Sequence, residues 1–231
     1  RTALLDRLAA LSIGWEKRKG HPGWVPKTQQ EQVLGALALA MTALGKTIVN
    51  KVELAGHLPD AWFFEPGRRE SLVDTVLRLA QGARLARWAP GDDGGSVTFE
   101  HQVWQEYYAA RLMAGMHEPV KRGLARLAAG RDHAGGPCDI LETHLHDSSW
   151  RNVVLMTAVQ LDRPRASVFV SRILEAGSLW EKYLYRDARL AAGCLTEGSR
   201  VNPAVIDRVL ERLRDARKLG IQPLTQEVDK A

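Results

Sequence analysis

The stretch Val97-Thr-Phe-Glu-His-Gln-Val-Trp-Gln-Glu-Tyr-Tyr-Ala-Ala-Arg-Leu-Met113 changes its hydrophobic period part-way along, and that change decides the fold. Val97, Thr98 and Phe99 are β-branched or aromatic and follow the turn run Pro90-Gly-Asp-Asp-Gly-Gly95, so they read as a strand. From Val103 onward the apolar residues recur at helical spacing. Val103, Tyr107, Ala110 and Ala114 form one stripe, and Trp104, Tyr108 and Leu112 form its neighbour. Two adjacent stripes make a face wide enough to bury a helix on most sides. Glu100 and His101 fall at the hinge, where first-turn backbone N–H groups are free to meet an anion.

Working upstream, Thr2 to Lys19 reads as a helix through Leu4, Leu5, Leu8, Leu11, Ile13 and Trp15, stopped by Gly20. Thr28 followed by Glu31 is a capping-box pattern for a second helix that runs to about Leu44. A third helix is expected from Ile48 to Leu58. A fourth follows Pro66-Gly67, carries Leu72, Val73, Val76, Leu77 and Leu79, and ends near Gly82. Leu85, Arg87 and Trp88 then pair with Val97, Thr98 and Phe99 as a β-hairpin around the Gly-Asp turn. Three helices followed by a two-stranded wing is the order of a winged helix, a helix-turn-helix variant. Residues 28–117 are assigned to that domain and residues 1–27 to an N-terminal helix and linker.

Downstream, residues 118–231 consist of helices separated by short breakers. They are expected over Val120–Ala129, Asp139–His146 and Trp150–Leu161, from Pro164 to Gly177, from Ser178 to Gly198, and from Asn202-Pro203 to Gly220. Helices of similar length joined by short turns look like the start of a HEAT-like α-solenoid. The expected fold class is therefore mainly α: a winged-helix domain with one β-hairpin, then an α-helical, repeat-like region.

A hydrophobic fraction of 45% with 26% charged residues is that of an ordinary globular chain. The longest apolar run, Val33 to Leu44, is too short to span a membrane and contains Gly35 and Thr42. Two cysteines, Cys138 and Cys194, make no disulfide framework and fit a reducing cytoplasm. The net charge of +5 is spread thinly. The chain opens on Arg1 rather than Met, which gives the expectation that it is part of a longer protein.

The segment Phe99-x-His101-x-x-Trp104-Gln105-Glu106-Tyr107-x-Ala109-Ala110 resembles the F-x-H-x-x-F-Q-E-Y/F-x-A-A segment of NACHT-type STAND NTPases, the class that includes NOD-like receptors. In that class the segment closes the winged-helix domain behind the nucleotide-binding core, and a helical sensor region often follows. The resemblance implies that His101 contacts the β-phosphate of ADP in the closed state of a longer parent protein. It also implies ADP or ATP with Mg as the parent's cofactors, and none for this chain by itself. The implied partners are the parent's own upstream NTPase module, a protein or ligand trigger on the helical region, and further copies of the parent on activation.

Other motifs carry less. Ala43-Leu-Gly-Lys-Thr47 ends like a Walker A loop, but Ala40 stands where the motif needs Gly and an amphipathic helix precedes Gly45. Gly45 reads as a helix stop. His133, Cys138, His144 and His146 lack the paired, close spacing of a zinc site and read as surface histidines and a buried thiol. The recognition helix of a DNA reader would be Arg68 to Gln81, yet Glu70 and Asp74 share it and Asp92-Asp93 make the wing tip acidic. Trp15, Trp62, Trp104, Trp150 and Trp180 are expected as core anchors. No carboxylate pair and no Ser/His/Asp or Cys/His order forms a catalytic constellation.

These readings converge on a non-enzymatic regulatory and sensor region of a NACHT-like STAND NTPase switch in signalling or defence. The winged helix would lock the ADP-bound closed state of a parent ATPase. The alternative is a DNA-binding winged-helix transcriptional regulator with a helical ligand or partner domain.

Overall fold

A computed structural model describes residues 1–20, 24–50, 68–89, 91, 95–115 and 144–218. The chain is mainly helical with a small three-stranded antiparallel sheet. It divides into two compact units, Arg1–Ile140 and Leu141–Ala231. The domain boundary expected at 117/118 lies outside the described residues, as do the helix expected at Val120–Ala129 and residues 139–143 of that expected at Asp139–His146. No helix among the described residues is long and apolar enough to cross a membrane.

In the first unit α1 spans Thr2–Arg18, with Lys17 and Arg18 in its last turn, where cations oppose the helix dipole. Gly20 follows at φ +70. The helix buries Thr2, Leu5, Ala9 and Glu16 and turns Leu4, Leu8, Leu11 and Trp15 outward. Next, α2 spans Lys27–Ala43 and starts directly after Pro26 with no side-chain cap. The capping box expected from Thr28 and Glu31 does not form. Glu31 is held instead by Lys27 at 3.6 Å and Arg111 at 3.0 Å. At the other end, Gly45 (φ +63) lets its N–H reach Thr42 O at 3.1 Å and lets Lys46 N–H reach Met41 O at 2.9 Å. This left-handed stop satisfies the last carbonyls of α2, so the Walker-like residues terminate a helix.

The helix expected at Ile48–Leu58 is replaced at its start by a strand, β1 (Ile48–Asn50); residues 51–67 lie outside the described set. After α3 (Arg68–Gly82) come β2 (Ala86–Ala89) and β3 (Ser96–Phe99). The sheet order is β1-β3-β2, with Val97 opposite both Val49 and Trp88 and Phe99 opposite Ala86. Val97 and Phe99 point to the core while Ser96 is exposed, as the two-residue period of a half-buried strand requires. Helix, strand, helix and hairpin thus follow among the described residues, and the third helix of the expected winged-helix order falls largely outside them. Next among the described residues comes α4, Gln102–Gly115, buried along most of its length.

Helices α2 and α4 make the principal contact of this unit. Val33 through Thr42 is buried without a break. A Cβ at Gly35 would lie 2.7 Å from Leu112 Cβ and 3.1 Å from Tyr108 O, so glycine permits the close approach.

In the second unit α5 (Arg151–Gln160) and α6 (Arg163–Leu174) form one antiparallel pair. Asp162 caps α6 by accepting the Arg165 N–H at 3.0 Å, and Pro164 occupies its first turn. The single helix expected from Ser178 to Gly198 is broken in two, α7 (Glu181–Leu184) and α8 (Arg186–Thr196), because Tyr185 sits at φ +48. Leu179, Tyr183 and Leu184 are exposed. The last helix, α9, runs Pro203–Lys218. Helix α5 packs on α8, and α6 on both α8 and α9. Ala158, Ala166, Ala188 and Ala191 line this core and let the helices approach closely.

Candidate functional site: the strand-to-helix hinge

The hinge is built by backbone bonds on either side of His101. Glu100 N–H donates to Leu85 O at 3.0 Å, carrying the β2–β3 ladder one residue past Phe99. Trp104 N–H then donates to His101 O at 2.9 Å and opens α4. His101 itself is exposed, and its ring has no hydrogen-bond partner among the described residues. Its neighbour is occupied: Arg87 of β2 reaches the Glu100 carboxylate with Nε at 2.8 Å and a terminal nitrogen at 2.6 Å. The hydrogen bond from Arg87 holds Glu100 below the usual carboxylate range. The acid beside His101 is therefore paired with Arg87, and the His101 ring faces solvent at a helix N-terminus.

Behind the hinge α4 is fixed by buried groups. Gln105 Nε2 donates to Thr42 Oγ1 at 3.2 Å and Lys46 O at 3.3 Å. Glu106 accepts from Gln102 at 3.1 Å and pairs with Arg1 at 3.5 Å. Tyr107 Oη donates to Asp6 at 2.8 Å, and Arg111 bridges Asp6 (3.1 Å) and Glu31 (3.0 Å). Trp104, Tyr107, Tyr108 and Phe99 form a contiguous aromatic cluster. Burial pushes both tyrosine hydroxyls well above their ordinary range. Gln105 and Glu106 thus fix the packing of α4, while His101 is left facing outward. The arrangement suits contact with an anion and brings no nucleophile and base together.

The second unit holds a polar cluster that sequence reasoning missed. Asp187 has no exposed surface, and its Oδ1 lies 2.6 Å from His146 Nε2. Ser178 N–H donates to the other oxygen at 2.9 Å, and Ser178 Oγ lies 2.6 Å from the same His146 nitrogen. A catalytic relay needs the two imidazole nitrogens on different partners; here Nε2 serves both, so the cluster is not a Ser–His–Asp triad. Glu181 caps α8, accepting the Asp187 N–H at 2.7 Å and the Ala188 N–H at 3.4 Å, and burial raises its pKa. The cluster braces the turn in which Trp180 and Tyr185 take positive φ.

Both described histidines of the rejected metal set are therefore largely covered rather than on the surface. His144 stacks on Trp150 with centroids 4.6 Å apart, and its side chain is 19% exposed. His133 and Cys138 lie outside the described residues. Among the described residues no group of His, Cys, Asp or Glu is disposed to hold a metal ion. Cys194 is buried, which pushes its thiol up to about 12. Trp104 and Trp150 are core anchors, whereas Trp15 and Trp180 face outward and Trp62 is outside the described set. In α3 Arg78 is exposed; the acidic wing tip and the side chains of Arg68, Arg69 and Glu70 are not among those described. Comparison with known proteins gives no match to a family model and none to a curated protein.

Proposed function

We propose that the chain is the regulatory region of a NACHT-like STAND nucleotide switch, in which the winged-helix unit folds over ADP and the helical unit receives a protein or ligand trigger. One observation carries this reading. His101 stands exposed at the entrance of a buried helix, with the acid next to it already paired to Arg87. An exposed imidazole on a backbone hinge fixed by the β2–β3 ladder and α4 is suited to donate to a phosphate oxygen. ADP supplies that oxygen and its negative charge; Mg and the phosphate cradle belong to the upstream module of the parent. The Gly45 segment is a helix stop, so no catalytic step is assigned to this chain.

The test uses the longer parent protein. A charge-assisted hydrogen bond made only in the closed state is worth about 1.5–3 kcal/mol, so His101→Ala is expected to shift the equilibrium roughly 10- to 150-fold toward open. ADP release from the purified parent, followed with a fluorescent analogue, should accelerate, and oligomers should form without the trigger. Trp104→Ala removes a buried aromatic and should cost about 3–5 kcal/mol, giving less folded protein rather than more activity. A folded His101→Ala parent that retains ADP as the wild type does would reduce His101 to an exposed hinge residue.

A further inference from the structure

The outer face of α1 carries a stripe that nothing among the described residues covers. Leu4, Leu8, Leu11 and Trp15 recur at alternating four- and three-residue steps and are 61%, 42%, 61% and 62% exposed. The opposite face is the one that packs, through Thr2, Leu5, Ala9 and Glu16. Alternating four- and three-residue spacing is the seam of a two-helix coiled coil.

The charged residues that border the stripe are all basic; Ser12 and Gly14 border it as well. By helical geometry Arg7 and Arg18 border one side, Arg1 and Lys19 the other. Arg1 is paired with Glu106 and Lys19 with Glu16. Arg7 and Arg18 have no carboxylate partner among the described residues, and the Arg18 guanidinium rests 5.1 Å above the Trp15 ring. The two acids of α1 point away: Asp6 is engaged by Tyr107 and Arg111, and Glu16 is buried.

We infer that this face of α1 is a docking seam for an amphipathic helix of a partner protein whose flanking positions are acidic. The stripe is one seam wide, and a helix lying on a lipid surface presents a broader apolar sector. A second copy of the chain would bring Arg7 and Arg18 toward another basic edge, and like charges at flanking positions oppose pairing. A helix with Glu or Asp at those positions matches both the apolar seam and the unpaired cations.

The intact 231-residue chain is titrated into a fluorescein-labelled helical peptide of about three heptads, with Leu at the seam and Glu at the flanks, and into a control with Lys at the flanks. The Glu peptide should bind at least about tenfold tighter than the Lys peptide by anisotropy. Leu11→Asp should abolish binding with an unchanged far-ultraviolet dichroism spectrum, and Arg7→Glu/Arg18→Glu should invert the preference. Val168→Asp, at an exposed apolar site on the other unit, should change nothing. Failure of both peptides to bind, equal affinity for the two, or equal loss in Val168→Asp would overturn the seam. So would a dimer, or adsorption to phosphatidylcholine–phosphatidylserine vesicles, that Leu11→Asp removes, since these name a second copy or a lipid surface as the occupant.

Discussion

Asp187 is a carboxylate with no exposed surface, and its neighbours decide what its loss would do. Replacement by Ala leaves His146 and the Ser178 N–H without their acceptor, and breaking a buried charged network costs about 3–5 kcal/mol. Asp187→Asn keeps the shape and one acceptor, so urea unfolding should find it less damaging than Asp187→Ala. Cys194 gives a pH-dependent test. Its thiol is raised to about 12 by burial, above the roughly 8.5 of an unfolded thiol. The folded state therefore keeps a proton that the unfolded state gives up. The resulting stability is whole below about pH 8.5 and falls by up to about 1.4 kcal/mol per pH unit as pH rises toward the folded value. Cys194→Ala should flatten that slope between about pH 8.5 and 10, below the range where the tyrosines join in. Of these groups the sequence singled out Cys194 but not Asp187. The available signal was a carboxylate on the same helical stripe as Ala191 and Cys194; its partner His146 is too distant in sequence for any local pattern to join them.

Among the elements, the pairing of α2 with α4 has the clearest consequence for substitution. Gly35→Ala gains about 1 kcal/mol in helix propensity but drives a methyl into Leu112, and overpacking typically costs about 1–3 kcal/mol. Net destabilisation is expected from denaturant midpoints. Gly14→Ala, where a Cβ meets nothing within 4 Å, should instead stabilise by about 0.5–1 kcal/mol. Most of the helices and the hairpin were legible because apolar spacing and breakers agree there: Asn202-Pro203 opens α9, and Val97 and Phe99 alternate as a strand should. Three local readings failed for identifiable reasons. Ile48 and Val49 continue no helical stripe once Gly45 ends α2, and β3 offers them a ladder. Pro26 already supplies a suitable N-terminal geometry, so Thr28 is not needed as a cap. Tyr185 at positive φ cannot be read from residue type, since a tyrosine is expected to avoid that region. The hinge position of His101 was legible; the pairing of Glu100 with Arg87 required knowing the register of β2 on β3.

At the scale of the whole molecule, a net charge of +5 predicts only loose, salt-sensitive affinity for nucleic acid. Binding to a random duplex should fall steeply between low and physiological salt, with no sequence preference in a footprint. Protection of a defined site at physiological salt would favour the transcriptional-regulator reading instead. The tie made by Gln105 has a mechanical consequence. From β3 the chain passes through the hinge into α4; Gln105 bridges to Thr42 and Lys46; Lys46 leads into β1; and β1 pairs back onto β3. The path is a closed ring in which every joint is braced by the others. Fraying the first turn of α4 under a force at His101 would have to break the Gln105 tie to Thr42 and Lys46 as well. The hinge therefore behaves as the handle of a rigid frame, and whatever grips it moves the sheet and both long helices together.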